Sequence, residues 1–254
     1  YNHGDNDYNI KFNHHQLGLN IMGVNMKNLI LDLSAHFDYY NYRNMLVAAD
    51  AFGRDIILHD DHYISYHANL HYDSENMGVF PTRGAKFNAE YAYFTDNFTQ
   101  YDNHLGFSEL SAMWRLSFPL NSHFTLQPMA YGRLLFGRDI PYIRQNVIGG
   151  QWFGHYFEQQ MPFVGVGNVE LTDPHFIAMQ LKAQQRLGTN NYILFHVAAA
   201  QHADKLRNIL DKGPMLGYQL GYYYKTIFGP LGASFEYSNK TDCLHFYINL
   251  GFEF

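Results

Sequence analysis

The fold class this sequence predicts is an antiparallel transmembrane β-barrel. Three observations predict it: long stretches of two-residue alternation, a composition poor in charge and rich in aromatics, and connections that alternate between short and long. The chain has 254 residues, of which 16% are charged, against about 25% in an average soluble domain. Aromatic residues make up 17%, with 21 Tyr and 21 Phe, and 15 His add polarity without permanent charge. Surfaces that face water are rarely built this way. A formal net charge of -6 and the lack of any Lys/Arg cluster give no electrostatic footprint for nucleic acid. No run approaches the ~18 to 20 consecutive apolar residues of a membrane-spanning helix, and the mean hydropathy is -0.31, so a helical membrane protein is excluded.

The alternation carries most of the prediction. Leu29, Leu31, Leu33, Ala35 and Phe37 oppose Asp32, Ser34, His36 and Asp38. Tyr66, Ala68, Leu70 and Tyr72 oppose Ser65, His67, Asn69 and His71, and Ala85, Phe87, Ala89, Tyr91 and Tyr93 oppose Lys86, Asn88 and Glu90. Leu110, Ala112, Trp114, Leu116 and Phe118 alternate with Glu109, Ser111 and Arg115, and Ile177, Met179, Leu181 and Ala183 alternate with Gln180, Lys182, Gln184 and Arg186. The last stretch, Leu244 to Phe254, is the cleanest, with Leu244, Phe246, Ile248, Leu250, Phe252 and Phe254 on one face. About twelve strands can be counted, the weakest between Met45 and Phe52. They run about 9 to 15 residues, whereas soluble strands centre on about 5 to 6 and a tilted bilayer-crossing strand needs about 9 to 11.

A soluble sandwich would show the same alternation, with the polar face in water. Strand length, low charge and the aromatics near strand ends (Tyr39, Tyr40, Tyr72, Tyr91, Tyr93, Tyr222, Tyr224, Phe252, Phe254) favour a lipid-facing band between aromatic girdles. Read backward from Phe254, the connections are a loop at Asn239 to Cys243, a tight turn at Phe228-Gly229-Pro230, a loop at Ala203 to Gly213 and a turn at Gly188 to Asn191. Then come a long segment, Gly137 to Pro174, a turn at Pro119-Leu120-Asn121 and a loop at Thr99 to Gly106. Short turns in such barrels face the periplasm, which puts the C-terminus there and makes the link from Asp73 to Arg83 the one long connection on that side. The lone Cys243 is read as a packing residue. The chain is a single barrel domain, 1–254, with no boundary that divides it.

Three local features resemble the barrel of the BamA-like surface-antigen superfamily, which includes the C-terminal barrels of bacterial patatin-like phospholipases. Phe80-Pro81-Thr82-Arg83-Gly84 looks like the family's Phe-Pro-Thr-x-Gly turn. The segment from Gly137 to Pro174, with Asn146-Val147-Ile148-Gly149-Gly150, resembles the start of its large sixth extracellular loop. Gly229-Pro230-Leu231 enters a penultimate strand, and a last strand ends in Phe254. About five strands follow the long segment and about seven precede it, against sixteen in the family barrel, so the resemblance implies that about four strands belong to a longer protein.

The family's sixth loop carries a Val-Arg-Gly-Tyr/Phe signature whose Arg pairs with an acidic residue of the barrel wall. Here the stretch reads Trp152-Phe153-Gly154-His155-Tyr156, with no Arg before the glycine, and Arg144 can stand in only if the loop folds back differently. By resemblance the sixth-loop residues are Arg144, Gly149, Gly150, Gly154 and Tyr156, and Phe252 and Phe254 form the C-terminal assembly signal. The stretch Glu158-Gln159-Gln160-Met161-Pro162-Phe163 tilts the reading to the patatin-linked branch, an analogy of sequence alone. The resemblance implies a bacterial outer-membrane barrel that anchors, and helps translocate or present, an N-terminal domain. Its implied partners are the lipid bilayer with lipopolysaccharide, the barrel-assembly machinery during insertion and a second copy in a homodimer.

No chemistry of its own is expected. A Gly-x-Ser-x-Gly elbow is missing, and Ser65, Ser111, Ser117 and Ser234 sit within alternating strands. A membrane-embedded lipid hydrolase needs a Ser and a His on the lipid side, whereas His67, His71, His196 and His245 are expected to face inward. His67 and His71 lie about 13 Å apart along one strand, too far to share an ion, and Asp60-Asp61-His62 reads as a solvated loop rather than a cation site. No cofactor or metal is expected. Expected in the lumen are Lys86, Arg115, Arg133, Lys182, Arg186 and Lys225 beside Asp32, Asp38, Glu90, Glu109, Glu236 and Glu253, a mixed set that favours a plugged or narrow interior. A free-standing porin or transporter of about twelve strands is the alternative.

Overall fold

The alternating stretches become strands, the last of them as far as Leu250. The computed structural model describes residues 8–47, 61–150, 159–167, 170–171 and 173–251. Its main strands are β1 (Tyr8–Met26), β2 (Leu29–Val47), β3 (Asp61–Asp73), β4 (Gly84–Thr95), β5 (Phe107–Pro119) and β6 (Phe124–Phe136). After a long connection come β7 (His175–Leu187), β8 (Asn191–Ala203), β9 (Met215–Thr226), β10 (Gly229–Ser238) and β11 (Cys243–Leu250). They build one 11-stranded sheet in sequence order, and each neighbouring pair is antiparallel, as short turns require. Among the described residues β1 and β11 are its two edges.

Among the described residues six main strands precede the long connection, where about seven are expected from the sequence. Of the weak strand expected from Met45 to Phe52, residues 45–47 belong to the end of β2 and the rest lies outside the described residues, which resume at Asp61. The five strands after it begin where the alternation begins.

Burial is inverted relative to a soluble protein. Trp114, Met179, Phe235 and Leu250 are 43%, 70%, 55% and 78% exposed on the outer face, while Ser65, Gln127, Arg133 and Gln184 are buried inside. Such a surface is stable only against lipid. Tyr39, Tyr91, Tyr222 and Tyr224 are exposed on that face, as girdle residues should be. Tyr40 is a correction: it is buried on the inner face, stacked on His14 with ring centroids 4.3 Å apart, because it shares the parity of Asp38. Cys243 is exposed rather than packed.

The connections sort to two ends. At one end lie 27–28, 74–83, 120–123, 188–190 and 227–228, and β11 ends there too; at the other lie 96–106, 137–174, 204–214 and 239–242. Among the described residues no helix is long and apolar enough to cross a membrane. Folded in detergent, the protein is expected to give strand-dominated circular dichroism and to change its gel mobility on boiling; helical dichroism would contradict this architecture.

Candidate functional site

The interior is occupied from both ends by the protein's own segments. From the long-loop end, residues 142–150 and 159–166 enter the lumen, where Val147–Ile148 pairs with Gln160–Met161 and with Glu170–Leu171 in a small internal sheet. Inward parity on β5 and β6 aims Glu109 and Arg133 at this segment. Arg133 Nε and Nη2 donate to the two Glu109 oxygens, each at 2.5 Å, and Nη1 donates to the Arg144 carbonyl at 2.9 Å and to Asn146 Oδ1 at 3.1 Å. Arg144 Nη2 donates to Glu109 Oε2 at 3.2 Å, and its guanidinium lies 4.3 Å from the centre of the Phe94 ring. One carboxylate thus holds two guanidiniums, one from the wall and one from the loop, all three side chains at most 10% exposed. Arg144 reaches the wall acid although no Arg precedes Gly154.

The far end of the loop is gripped separately. Glu236 on β10 accepts the Gly165 backbone N–H at 3.1 Å, and Thr241 Oγ1 donates to the Gly165 carbonyl at the same distance. Gly165 has φ +79, and a Cβ there would collide with the backbone of Tyr237, so only glycine brings the loop main chain this close to the wall. Gly149 and Gly150 also carry positive φ, and Gly149 gives its carbonyl to Gln160 Nε2 at 2.7 Å. Gly154 and Tyr156 lie outside the described residues, as do Phe252, Glu253 and Phe254.

From the short-turn end, residues 74–83 fold inward, which accounts for the one long connection there. Asn76 closes the hairpin by accepting the N–H groups of Thr82 and Arg83 at 3.0 and 3.1 Å. Glu75 accepts Arg115 Nε and Nη2 at 2.9 and 2.5 Å and Ser117 Oγ at 2.9 Å. Across the lumen, Phe80 stacks on Tyr192 at 4.1 Å beside Leu194 and Tyr223, and Gln127 and Gln184 donate to the Pro81 and Phe80 carbonyls at 2.8 and 3.3 Å. Phe80 does this with φ 53, a conformation that costs a bulky residue about 1 to 3 kcal/mol and persists because its surroundings fix it. The hairpin therefore bridges β5, β6, β7, β8 and β9.

The remaining expected lumen residues are scattered. Lys86 pairs with Asp73 at 3.4 Å, Arg186 donates to the Ser122 carbonyl at 3.0 Å near the short-turn end, and Lys182 faces the chamber between the two inserted segments. Glu90 accepts from His67 Nδ1 at 2.6 Å while His67 Nε2 contacts Ser65 Oγ at 2.8 Å. That is the order of a hydrolytic triad, but Ser65 is 0% exposed, so no substrate carbonyl can approach its oxygen, and the relay serves packing of the inner wall. Asp61 is engaged by the Tyr63 and Tyr101 hydroxyls at 2.8 and 3.1 Å, and no group of three or more His, Cys, Asp or Glu suited to a metal occurs among the described residues. Glu75 and Gln127 are not singled out by sequence, and Phe80 and Asn146 are named there only as parts of motifs, because their partners are remote in the chain.

A two-ended plug inside a meandering antiparallel sheet narrows the relationship sharply, and the comparisons decide it. The family model of the OMP85 superfamily matches residues 2–254. The chain belongs to the OMP85 superfamily. Its structure is similar to that of BamA from Haemophilus ducreyi lacking POTRA domains 1-3, with a TM-score of 0.65 at 14% identity, over 96% of this chain and 54% of that one. The chain thus spans about half the length of that BamA chain, and at this identity the likeness speaks for the barrel fold alone. No curated protein matches.

In this OMP85 barrel the Glu109 node is the point where loop and wall depend on one another. Glu109→Gln leaves two buried guanidiniums without their counter-charge and is expected to lower the unfolding free energy by about 3 to 5 kcal/mol, read from urea titration in detergent, with protease cleavage appearing within 137–174. A second, outer tie is pH-sensitive. Asp173, at the loop's exit, is held below the ordinary carboxylate range first by the hydrogen bond from His202 Nδ1 at 2.9 Å, with the charges of His202 and Lys212 adding to it against partial burial. A depressed pKa stabilises the folded form above the unfolded value and is lost as pH falls through the folded one. Loop cleavage is therefore expected to stay flat from neutral pH to about pH 5 and to rise below about pH 4, a rise that Asp173→Asn abolishes.

Proposed function

We propose that this barrel is an outer-membrane anchor of a Gram-negative bacterium that holds, and helps present or translocate, a further domain of the same polypeptide, of the patatin-like phospholipase kind. The observation that carries this is the filled lumen: an interior bridged by the Glu109 node above and by the Phe80 hairpin below offers a rigid platform rather than an open channel. The exposed apolar outer face supports seating in a bilayer, with lipopolysaccharide in the outer leaflet and the barrel-assembly machinery as insertion partner. A homodimer belongs to the same reading. The intact mass of the native polypeptide extracted from outer membranes is the test, set against 29.6 kDa for these residues. A much larger mass with a soluble domain attached is expected; a native mass near 29.6 kDa would overturn the anchoring role.

A chamber of about 640 Å³ between the two inserted segments favours a second reading, a free-standing pore or transporter. The two readings part in planar bilayers. A plugged anchor is expected to give little or no steady conductance, and deletion of 142–166 is expected to open large, stable steps. Large conductance from the intact chain would favour the pore.

A further inference from the structure

Across β5, β6, β7 and β8 the outward face of the wall is notched. Register lays Ala112, Gly132, Ile177 and Gln201 in one row and Trp114, Ala130, Met179 and Ala199 in the next. Half of these are alanine or glycine, so the surface sinks between Trp114 on one side and Ile177 and Met179 on the other, into a groove of about 510 Å³. Among the described residues no charged side chain lines it, and its rim toward the long-loop end is Leu210 and Pro214 of the loop 204–214. Gln201 Nε2 donates to the Lys212 carbonyl at 3.1 Å and Ile209 is buried, so this loop is held over the end of the groove.

Depth and charge select the kind of molecule that fits. From Leu110 to Trp114 the groove follows β5 for about 13 Å, at ~3.3 Å per residue, about half of the ~25 Å apolar band of such a barrel. It lies near the long-loop end, where β5 begins at Phe107 and β7 at His175, and so has the depth of the leaflet on that side. Short turns face the periplasm in barrels of this kind, which makes that leaflet the outer one. The groove is continuous with the apolar face that already meets lipid, so a lipid chain is what covers it. The loop above carries Lys205, Arg207 and Lys212 against Asp204 and Asp211. Lys212 lies 4.0 Å from Asp173, whereas Lys205 and Arg207 are exposed and have no ion-pair partner among the described residues. Leu206 stands between these two cations and is exposed, as is Leu210, the pattern of a segment lying where tails give way to head groups.

We infer that the groove and the loop above it form a seat for one molecule of lipid A, the phosphorylated glycolipid that anchors lipopolysaccharide in the outer leaflet. One acyl chain lies in the groove against Trp114, Ile177 and Met179, and a phosphate of the head group meets Lys205 and Arg207. The small residues Ala112, Ala130 and Ala199 give the chain its depth. The seat presupposes the outer-membrane location proposed above; it is independent of what the barrel anchors.

Native mass spectrometry of the full chain in detergent, titrated with purified lipid A, tests it. A single lipid A adduct is expected. Phosphatidylethanolamine, which brings tails without net charge, is expected to bind at least about tenfold more weakly, and phosphatidylglycerol, with one phosphate, at least about fivefold more weakly. Ala112→Phe and Ala130→Phe fill the groove with apolar bulk that a lipid-facing position tolerates, and each is expected to weaken lipid A by about tenfold or more. Lys205→Met combined with Arg207→Met is expected to do the same. Lys27→Met at the short-turn end and Ala233→Phe on β10, beyond the groove, are expected to leave binding unchanged. The boiling-dependent gel shift shows which variants have folded, and Ala199→Phe replaces a filling variant that fails. Absence of an adduct at micromolar lipid A, equally tight binding of either phospholipid, or indifference to the folded groove and loop variants would each overturn the proposal. Sedimentation of the native chain with inner rather than outer membranes would overturn the location alone, since the titration uses purified lipid.

Discussion

A wall that presents apolar side chains to lipid on one face must turn its polar side chains to the other, and everything inside this protein follows from where those side chains find partners. Period-two geometry allows no compromise: Leu110 outward means Glu109 inward, and Ile177 outward means Phe176 and Ala178 inward. Glu109, Arg133, Glu236 and Gln127 are each at most 7% exposed, so water is largely denied them and the interior has to supply its own counter-groups. The loop supplies Arg144 and the Gly165 amide; the hairpin supplies Glu75 and the carbonyls of Phe80 and Pro81. The inserted segments are the solvent of the inner wall.

The two segments solve the same problem in different currencies. The loop side is ionic at its centre, with a carboxylate between two guanidiniums, and such a node holds geometry only while all three members stay. The hairpin side combines one ion pair with an aromatic anchor, Phe80 against Tyr192 and Tyr223, which tolerates small shifts better. Between them remains a space that neither fills.

Local periodicity made the wall legible. The alternation from Leu29, Tyr66, Ala85, Leu110, Ile177 and Leu244 set both strands and facing, and the inward direction of Arg115, Arg133 and Lys182 followed from parity. Applied strictly, parity also puts Tyr40 inside, with Asp38; aromatic identity near a strand end was the misleading cue. What fills the lumen was not legible, because no local pattern encodes it. Phe80-Pro81-Thr82-Arg83-Gly84 reads as a turn and is one, with Gly84 at φ +111, but its insertion depends on Arg115, Gln184, Tyr192 and Tyr223, which lie on four other strands. Arg144 was visible as a cation, and only the fold-back of the chain around Asn146 brings it to Glu109.

The hairpin also sets an order of assembly. Phe80 meets Gln184 across 104 residues of chain, and its ring needs Tyr192 and Tyr223, which belong to β8 and β9. Contacts this distant in sequence are made late, since closing so long a loop has to be compensated by structure already in place. The strands carrying Tyr192 and Tyr223 must therefore be paired before the hairpin can seat, and until then its left-handed Phe80 has nothing to hold it. A seated hairpin is thus a mark of a wall completed at least as far as β9, a late step of assembly rather than an early one.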